Sequence, residues 1–212
     1  MAEPTTNDWL SIAKGYFEKT QFPNTVGALD GKHIRIECPK SSGSLYYNYK
    51  HFFSLILMAI CDSNYCFQII DVGSFGKESD CNVFKTSTFG KKLYDDKLNF
   101  PPEQCLPNDE LGSPQPFVLV ADEAFALHKN LLRPFPDAAV IITKACCVLH
   151  NFVRRRDGFS VEDTMSSSCM ESVQRRGVGN IQKNAKDVRE YFVEYVNNPN
   201  HALDWQNTII GK

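Results

Sequence analysis

The stretch VGALDGKHIRIECP, residues 26–39, decides how the rest of the chain is read. An apolar approach leads to Asp30-Gly31, and an alternating run follows through His33, Ile34, Arg35, Ile36 and Glu37. Two readings compete here. Asp-Gly between strand-like arms is a strong signal for a two-residue hairpin turn. In the other reading a strand fixes Asp30 as a site carboxylate, and Gly31 lets a metal or phosphate come close. A second carboxylate, Asp122, ends the apolar run FVLVAD far downstream and favours the site reading.

At 212 residues the chain suits one domain and is long enough to bury a core. Hydrophobic residues make up 42% and charged residues 23%, an ordinary soluble globular balance that excludes a disordered chain. Lys plus Arg is 23 against 25 for Asp plus Glu, a formal net charge of −2. A compact stand-alone nucleic-acid binder is usually basic, so that class is disfavoured. An enzyme that grips DNA locally is not. No run approaches the roughly 18 uninterrupted apolar residues of a membrane span. The opening MAEPTTNDW is acidic and polar, unlike a secretory signal. The eight cysteines include no C-x-x-C pair, and Cys146 and Cys147 are adjacent within an apolar run. They read as reduced thiols of a cytoplasmic or nuclear protein rather than a zinc site or a disulfide framework.

Outward from the opening stretch, residues 8–19 place Trp9, Ile12, Ala13, Tyr16 and Phe17 at helical spacing. Phe22-Pro23-Asn24 ends that helix before the strand that carries Asp30. Residues 39–51, PKSSGSLYYNYKH, form a loop with Tyr46, Tyr47, Tyr49, Lys40 and Lys50. It reads either as a surface loop with partly buried aromatics or as lysine contacts to phosphate with tyrosine stacking on bases. Runs 52–62 and 66–75 predict an antiparallel hairpin around Ser63-Asn64-Tyr65. A helix is expected from residues 77–80 to about Phe89, with Ser79 or Asp80 as a candidate cap. Residues 95–116 read as a surface loop without a core pattern. FVLVA, 117–121, predicts a buried strand that ends at Asp122.

Strand, hairpin, helix, strand and then helices predict an α/β fold, a mixed sheet covered by helices. In it the strand ends at residues 30 and 122 lie side by side, where ligands of open α/β sheets commonly sit. Residues 140–156 read as an apolar helix with Arg154, Arg155 and Arg156 at its end, either solvated or facing phosphate. His150 within it reads as a core histidine. A polar Ser/Gly-rich stretch, 157–183, precedes an amphipathic helix, 184–198, with Val188, Tyr191, Phe192 and Tyr195 on one side.

Five pieces, in order, carry a resemblance: FPNTVGALDGKHIRI, YYNYKHFFSLILMAICDSNY, GSFGKESDCNVFKTS, VLVADEAFAL and KACCVLHNFVRRR. With them the chain resembles the catalytic domain of PIF/Harbinger-type transposases and the nucleases derived from them, a branch of the DDE endonuclease superfamily. The resemblance implies an RNase H-like mixed sheet flanked by helices. It implies three carboxylates that hold two Mg²⁺ or Mn²⁺ ions, which activate water and stabilise the leaving oxygen in phosphodiester cleavage. Carried over residue by residue, Asp30 is the first catalytic acid and metal ligand, and Asp122 the second. Asp80 matches a family acid beside the site, in a supporting or orienting role.

One departure decides what to expect. In the family the third acid is a glutamate on a helix between the second acid and the helix matched by KACCVLHNF. Here Leu131-Leu132-Arg133-Pro134-Phe135-Pro136-Asp137 runs straight into Val140, so that core helix segment is missing near residues 136–139. Glu123, Asp137 and Glu162 are poor substitutes. The expected organisation is a packing helix and lead-in at 1–24, the DDE-like domain at 25–156, and a polar segment with a final helix at 157–212. The expected function is a metal-dependent DNA endonuclease whose site is broken, or else a non-catalytic domesticated module that binds DNA or a protein partner. The resemblance also implies DNA as a partner and a nuclear location, with the cytoplasm as the alternative; a protein that supplies DNA binding is a further candidate partner, and no membrane partner is expected.

Overall fold

The computed structural model describes residues 3–135 and 183–200. Helix α1, Thr6–Thr20, starts in a capping box in which Thr5 and Asp8 satisfy each other's backbone N–H groups. Its apolar face buries Trp9, Ala13 and Tyr16. Two side chains tie α1 to distant backbone: the Trp9 indole N–H donates to Leu98 O at 2.8 Å, and Tyr16 O–H to Cys61 O at 2.8 Å. Gln21 in the left-handed region ends the helix.

Strand β1 follows as Thr25–Arg35 and runs straight through Asp30-Gly31. The hairpin-turn reading of that dipeptide is therefore wrong. The physical reason lies across the chain: a Cβ at Gly31 would fall on the Asp80 carboxylate, so the glycine makes room for a neighbour and does not turn the backbone. The predicted hairpin forms as β2, Ser54–Cys61, and β3, Phe67–Phe75. Asp62 holds the turn by accepting the Asn64 and Cys66 amides, with Tyr65 at φ 63°.

Beyond the hairpin the single expected helix is two. Helix α2 is Asp80–Thr86 and α3 is Thr88–Tyr94. Ser87 separates them, because its hydroxyl accepts the Gly90 amide and so caps a new helix. Strand β4 is Val118–Val120 and β5 is the two-residue Leu131–Leu132. A last helix, α4, spans Lys183–Asn197. All these elements belong to one compact unit, Met1–Arg133 with Ile181–Lys212.

The five strands are ordered β3-β2-β1-β4-β5. Strands β3, β2 and β1 are antiparallel neighbours, whereas β1, β4 and β5 are parallel. The expected mixed α/β sheet is what forms. One apolar cluster joins α1, α2 and α3 to the sheet through Trp9, Leu29, Ile56, Met58, Phe84 and Leu119. A second joins α4 to the β4–β5 side through Val118, Leu132, Phe192 and Tyr195. Residues 95–116 differ from the expected surface loop. Leu98 and Leu106 are buried, and Tyr191 and Tyr195 of α4 donate to Asp109 Oδ2 at 2.6 Å and Pro107 O at 2.8 Å. The predicted helix at 140–156, the gap near 136–139, and the readings of Cys146, Cys147, His150, the three arginines, Asp137 and Glu162 lie outside the described residues.

Candidate active site

Strand pairing determines which acids meet. Ala28 of β1 pairs with Val120 of β4 in the parallel register. Asp30 and Asp122 each stand two residues beyond that pair, Asp30 still within β1 and Asp122 in the loop that leaves β4. Alternation along β1 turns Leu29, Gly31 and His33 toward the buried side, where they lie opposite Ile60, Met58 and Ile56. Asp30 therefore turns to the other face. Both acids are exposed.

Local hydrogen bonds aim the two carboxylates. Asp30 Oδ1 accepts the Gly31 amide at 2.8 Å. Asp122 Oδ1 accepts the Ala124 amide at 2.9 Å, an Asx turn that halts the strand. Arg133 pins the turn from behind by donating through Nη1 to the carbonyls of Glu123 and Phe125, both at 3.0 Å. Each carboxylate keeps an oxygen outside these local bonds.

Asp80 approaches from the opposite side of β1. At the first position of α2 it lies half-buried against Gly31, and its Oδ1 is buried without a hydrogen-bond partner among the described residues. Burial pushes its carboxyl above the usual range, and the Asp30 and Asp122 charges push the same way. His33 and Lys50 oppose that shift. All five groups thus share one local field, although Asp80 is separated from the Asp30–Asp122 pair by the backbone of β1.

Sequence reasoning missed the polar support beneath this field. His33 Nδ1 lies 2.9 Å from Ser54 Oγ, which also accepts from Asn48 Nδ2 at 2.8 Å. Asn48 and Ser54 are buried, and Asn48 Oδ1 accepts the Lys50 and Phe52 amides. Ser54 Oγ thus bridges Asn48 and His33 and holds the imidazole in place through Nδ1. Burial holds His33 below its usual pKa and Lys50 adds to this, whereas Asp80 pulls it upward. The only early signal was the alternation of β1, which puts His33 on the same face as Gly31.

Carboxylate oxygens suit a hard divalent cation, and Mg²⁺ is commonly held by one or two carboxylates with water and substrate phosphate completing its shell. Asp30 and Asp122 fit that donor set as two ligands. Among the described residues no group of three His, Cys, Asp or Glu side chains is arranged to hold a metal ion. None of the described helices is long and apolar enough to cross a membrane.

Comparison with known proteins adds to this geometry. A family model described as DDE superfamily endonuclease matches residues 29–140, just over half of the chain. The chain is 25% identical over 124 residues to "Putative nuclease HARBI1" of Rattus norvegicus, covering 58% of this chain and 31% of the relative. It is 24% identical over 126 residues to the Mus musculus protein of the same name, covering 59% and 32%. It therefore spans about a third of the length of these curated relatives. No solved structure matches the chain.

Proposed function

Since the chain belongs to the DDE superfamily endonuclease family, we propose that it is a transposase-derived nuclease domain that retains two metal-ligating acids and has lost efficient cleavage. Its mixed sheet with flanking helices is an α/β fold consistent with an RNase H-like DDE domain. The observation that supports the reading is that Asp30 and Asp122 each follow the same parallel pair, Ala28–Val120, by two residues, with the Asp80 carboxylate packed against Gly31.

In this proposal Asp30 and Asp122 hold one Mg²⁺ or Mn²⁺ ion. When bound, that ion would polarise a phosphodiester and lower the pKa of an attacking water. The protein's own residues do the rest. The Asx turn and Arg133 fix Asp122, β1 fixes Asp30, and Asp80 buttresses the strand next to Asp30 through Gly31. The family pattern's third acid, a glutamate, has no counterpart between Asp122 and Val140 other than Glu123 and Asp137. Glu123 adjoins Asp122, and its carbonyl is engaged by Arg133. Loss of one ligand weakens ion binding and transition-state stabilisation together, which is why the domain is proposed as defective. By the same reading DNA is the substrate class, a DNA-binding protein is a partner, and the protein resides in the nucleus.

The test is thermal melting of the intact chain in EDTA and in Mn²⁺. Ion at about 100 times its Kd should stabilise by about 2.7 kcal/mol. The shift should disappear in Asp30→Ala. A parallel plasmid-nicking assay should show no cleavage that depends on Asp30. No Mn²⁺ shift in the wild type would reject the metal pair, and Asp30-dependent nicking would reject the defect.

A further inference from the structure

We propose that the loop from Ser44 to Phe53 is a strand-gripping element that stacks an unpaired nucleotide on Tyr49 and contacts its phosphate with Lys50. The inference rests on the nuclease reading above and gives its site a substrate form, single-stranded nucleic acid. Three observations converge on it.

The first is an exposed aromatic held in place. Tyr49 is 71% exposed, yet its ring lies edge to face with His33 at 5.6 Å and under Lys50 Nζ at 5.4 Å. Large aromatic rings usually bury themselves, so an ordered ring this exposed, with a cation already over it, offers stacking surface and phosphate contact together. Tyr47 of the same loop, 42% exposed, packs against Phe53 and His51. The second is rigidity. Tyr47 and Phe53 form a bridge across the loop, Ser54 N donates to Tyr46 O at 2.8 Å, and Lys77 N donates to Leu45 O at 3.3 Å. Buried Asn48 ties the turn together from inside. Preorganisation of this kind lowers the ordering cost of binding.

The third is charge. The chain carries a net −2, but residues 32–53 hold Lys32, Arg35, Lys40 and Lys50 against a single acid, Glu37. Cations therefore collect on the segment beside the carboxylates, as phosphate contact requires. The ring contact of Tyr49 with His33, on the strand that carries Asp30, places the loop beside the site. A duplex offers its backbone to Lys50 but no free base face to Tyr49. An unpaired strand offers both.

The experiment is fluorescence anisotropy of the intact chain with a labelled oligo-dT single strand and a hairpin duplex, in EDTA at low salt. We expect tighter binding of the single strand. Tyr49→Ala should weaken that binding about 10-fold and leave duplex binding unchanged, while Tyr49→Phe retains it. Lys50→Ala should lower the salt slope for the single strand by about 0.7. Equal binding of both forms, or indifference to Tyr49→Ala, overturns the proposal. Absence of nucleic-acid binding overturns it too and leaves the exposed tyrosines to a protein partner. Because no metal is present, failure here is separable from failure of the nuclease reading, which the Mn²⁺ melting shift tests alone.

Discussion

Replacing Gly31 by alanine tests the central packing contact directly. The added Cβ would overlap Oδ1 and Cγ of Asp80, which begins α2. That carboxylate has little room to retreat, because Val83 and Phe84 of the same helix are buried in the core behind it. Either Asp80 leaves its rotamer or the start of α2 moves, and overpacking of this kind costs about 1–3 kcal/mol. Gly31 does not occupy the left-handed region, so alanine brings no backbone strain. Restricting the unfolded chain returns about 0.4–1 kcal/mol. The net destabilisation should be about 1–2 kcal/mol. Urea unfolding of Gly31→Ala, Asp80→Ala and the double variant forms a cycle that isolates the contact. The double variant should lose most of the penalty, since alanine at 80 removes the clashing carboxylate. An unchanged single variant, or a double variant that keeps the full penalty, would refute the assignment of Gly31 as space for Asp80.

Further outcomes follow from the packing. In EDTA, Asp80→Asn should be more stable than the wild type near neutral pH, because burial raises the folded-state pKa of Asp80. A raised folded value means wild-type stability falls as pH rises through the unfolded and then the folded pKa, so the advantage of Asn should shrink on acidification toward the ordinary carboxylate range. A gap independent of pH would count against it. Phe192→Ala should cost about 3–5 kcal/mol, since Phe192 is buried and stacks on Phe22 at 5.5 Å. A loss below about 1 kcal/mol in chemical denaturation would show that α4 is not docked on the sheet. Ser87→Ala should cost about 1 kcal/mol through loss of the α3 cap, and glycine at that position should lose less. Equal losses in the two variants would contradict the capping role.

The sheet was legible because its signals are local. The apolar runs of β2 and β3 flank a turn whose Asp62 chemistry is contained within seven residues, 62–68. Likewise, α1 announces itself by helical spacing and a capping box. What escaped the sequence reading depends on contacts made at a distance. Asp30-Gly31 carries the chemistry of a turn, and only the arrival of Asp80 explains the glycine within a strand. Leu98 and Leu106 have no periodic neighbours, yet Trp9, Tyr191 and Tyr195 bind the backbone or side chains around them and draw the segment inward. Strand β5 has two residues, too few for any pattern. The break at Ser87 rests on a single capping residue, and the expectation of one helix from residues 77–80 to about Phe89 ran through it. His33, Asn48 and Ser54 come from two strands and a loop, and no spacing in the chain marks them as one network.

The parallel pairing of β1 with β4 also sets when the site can exist. Asp30 leaves the ribosome before Asp122, followed by a hairpin that can form from nearby contacts alone. Asp122 arrives only after the hairpin, two helices and a long connecting segment have been made, and parallel pairing across such a separation is slow. Ligands that require both acids therefore select chains that have completed this last pairing. Under the proposed metal pair, cation protection followed over time after dilution from urea would act as a clock for sheet closure, with a lag set by β4 docking rather than by hairpin formation.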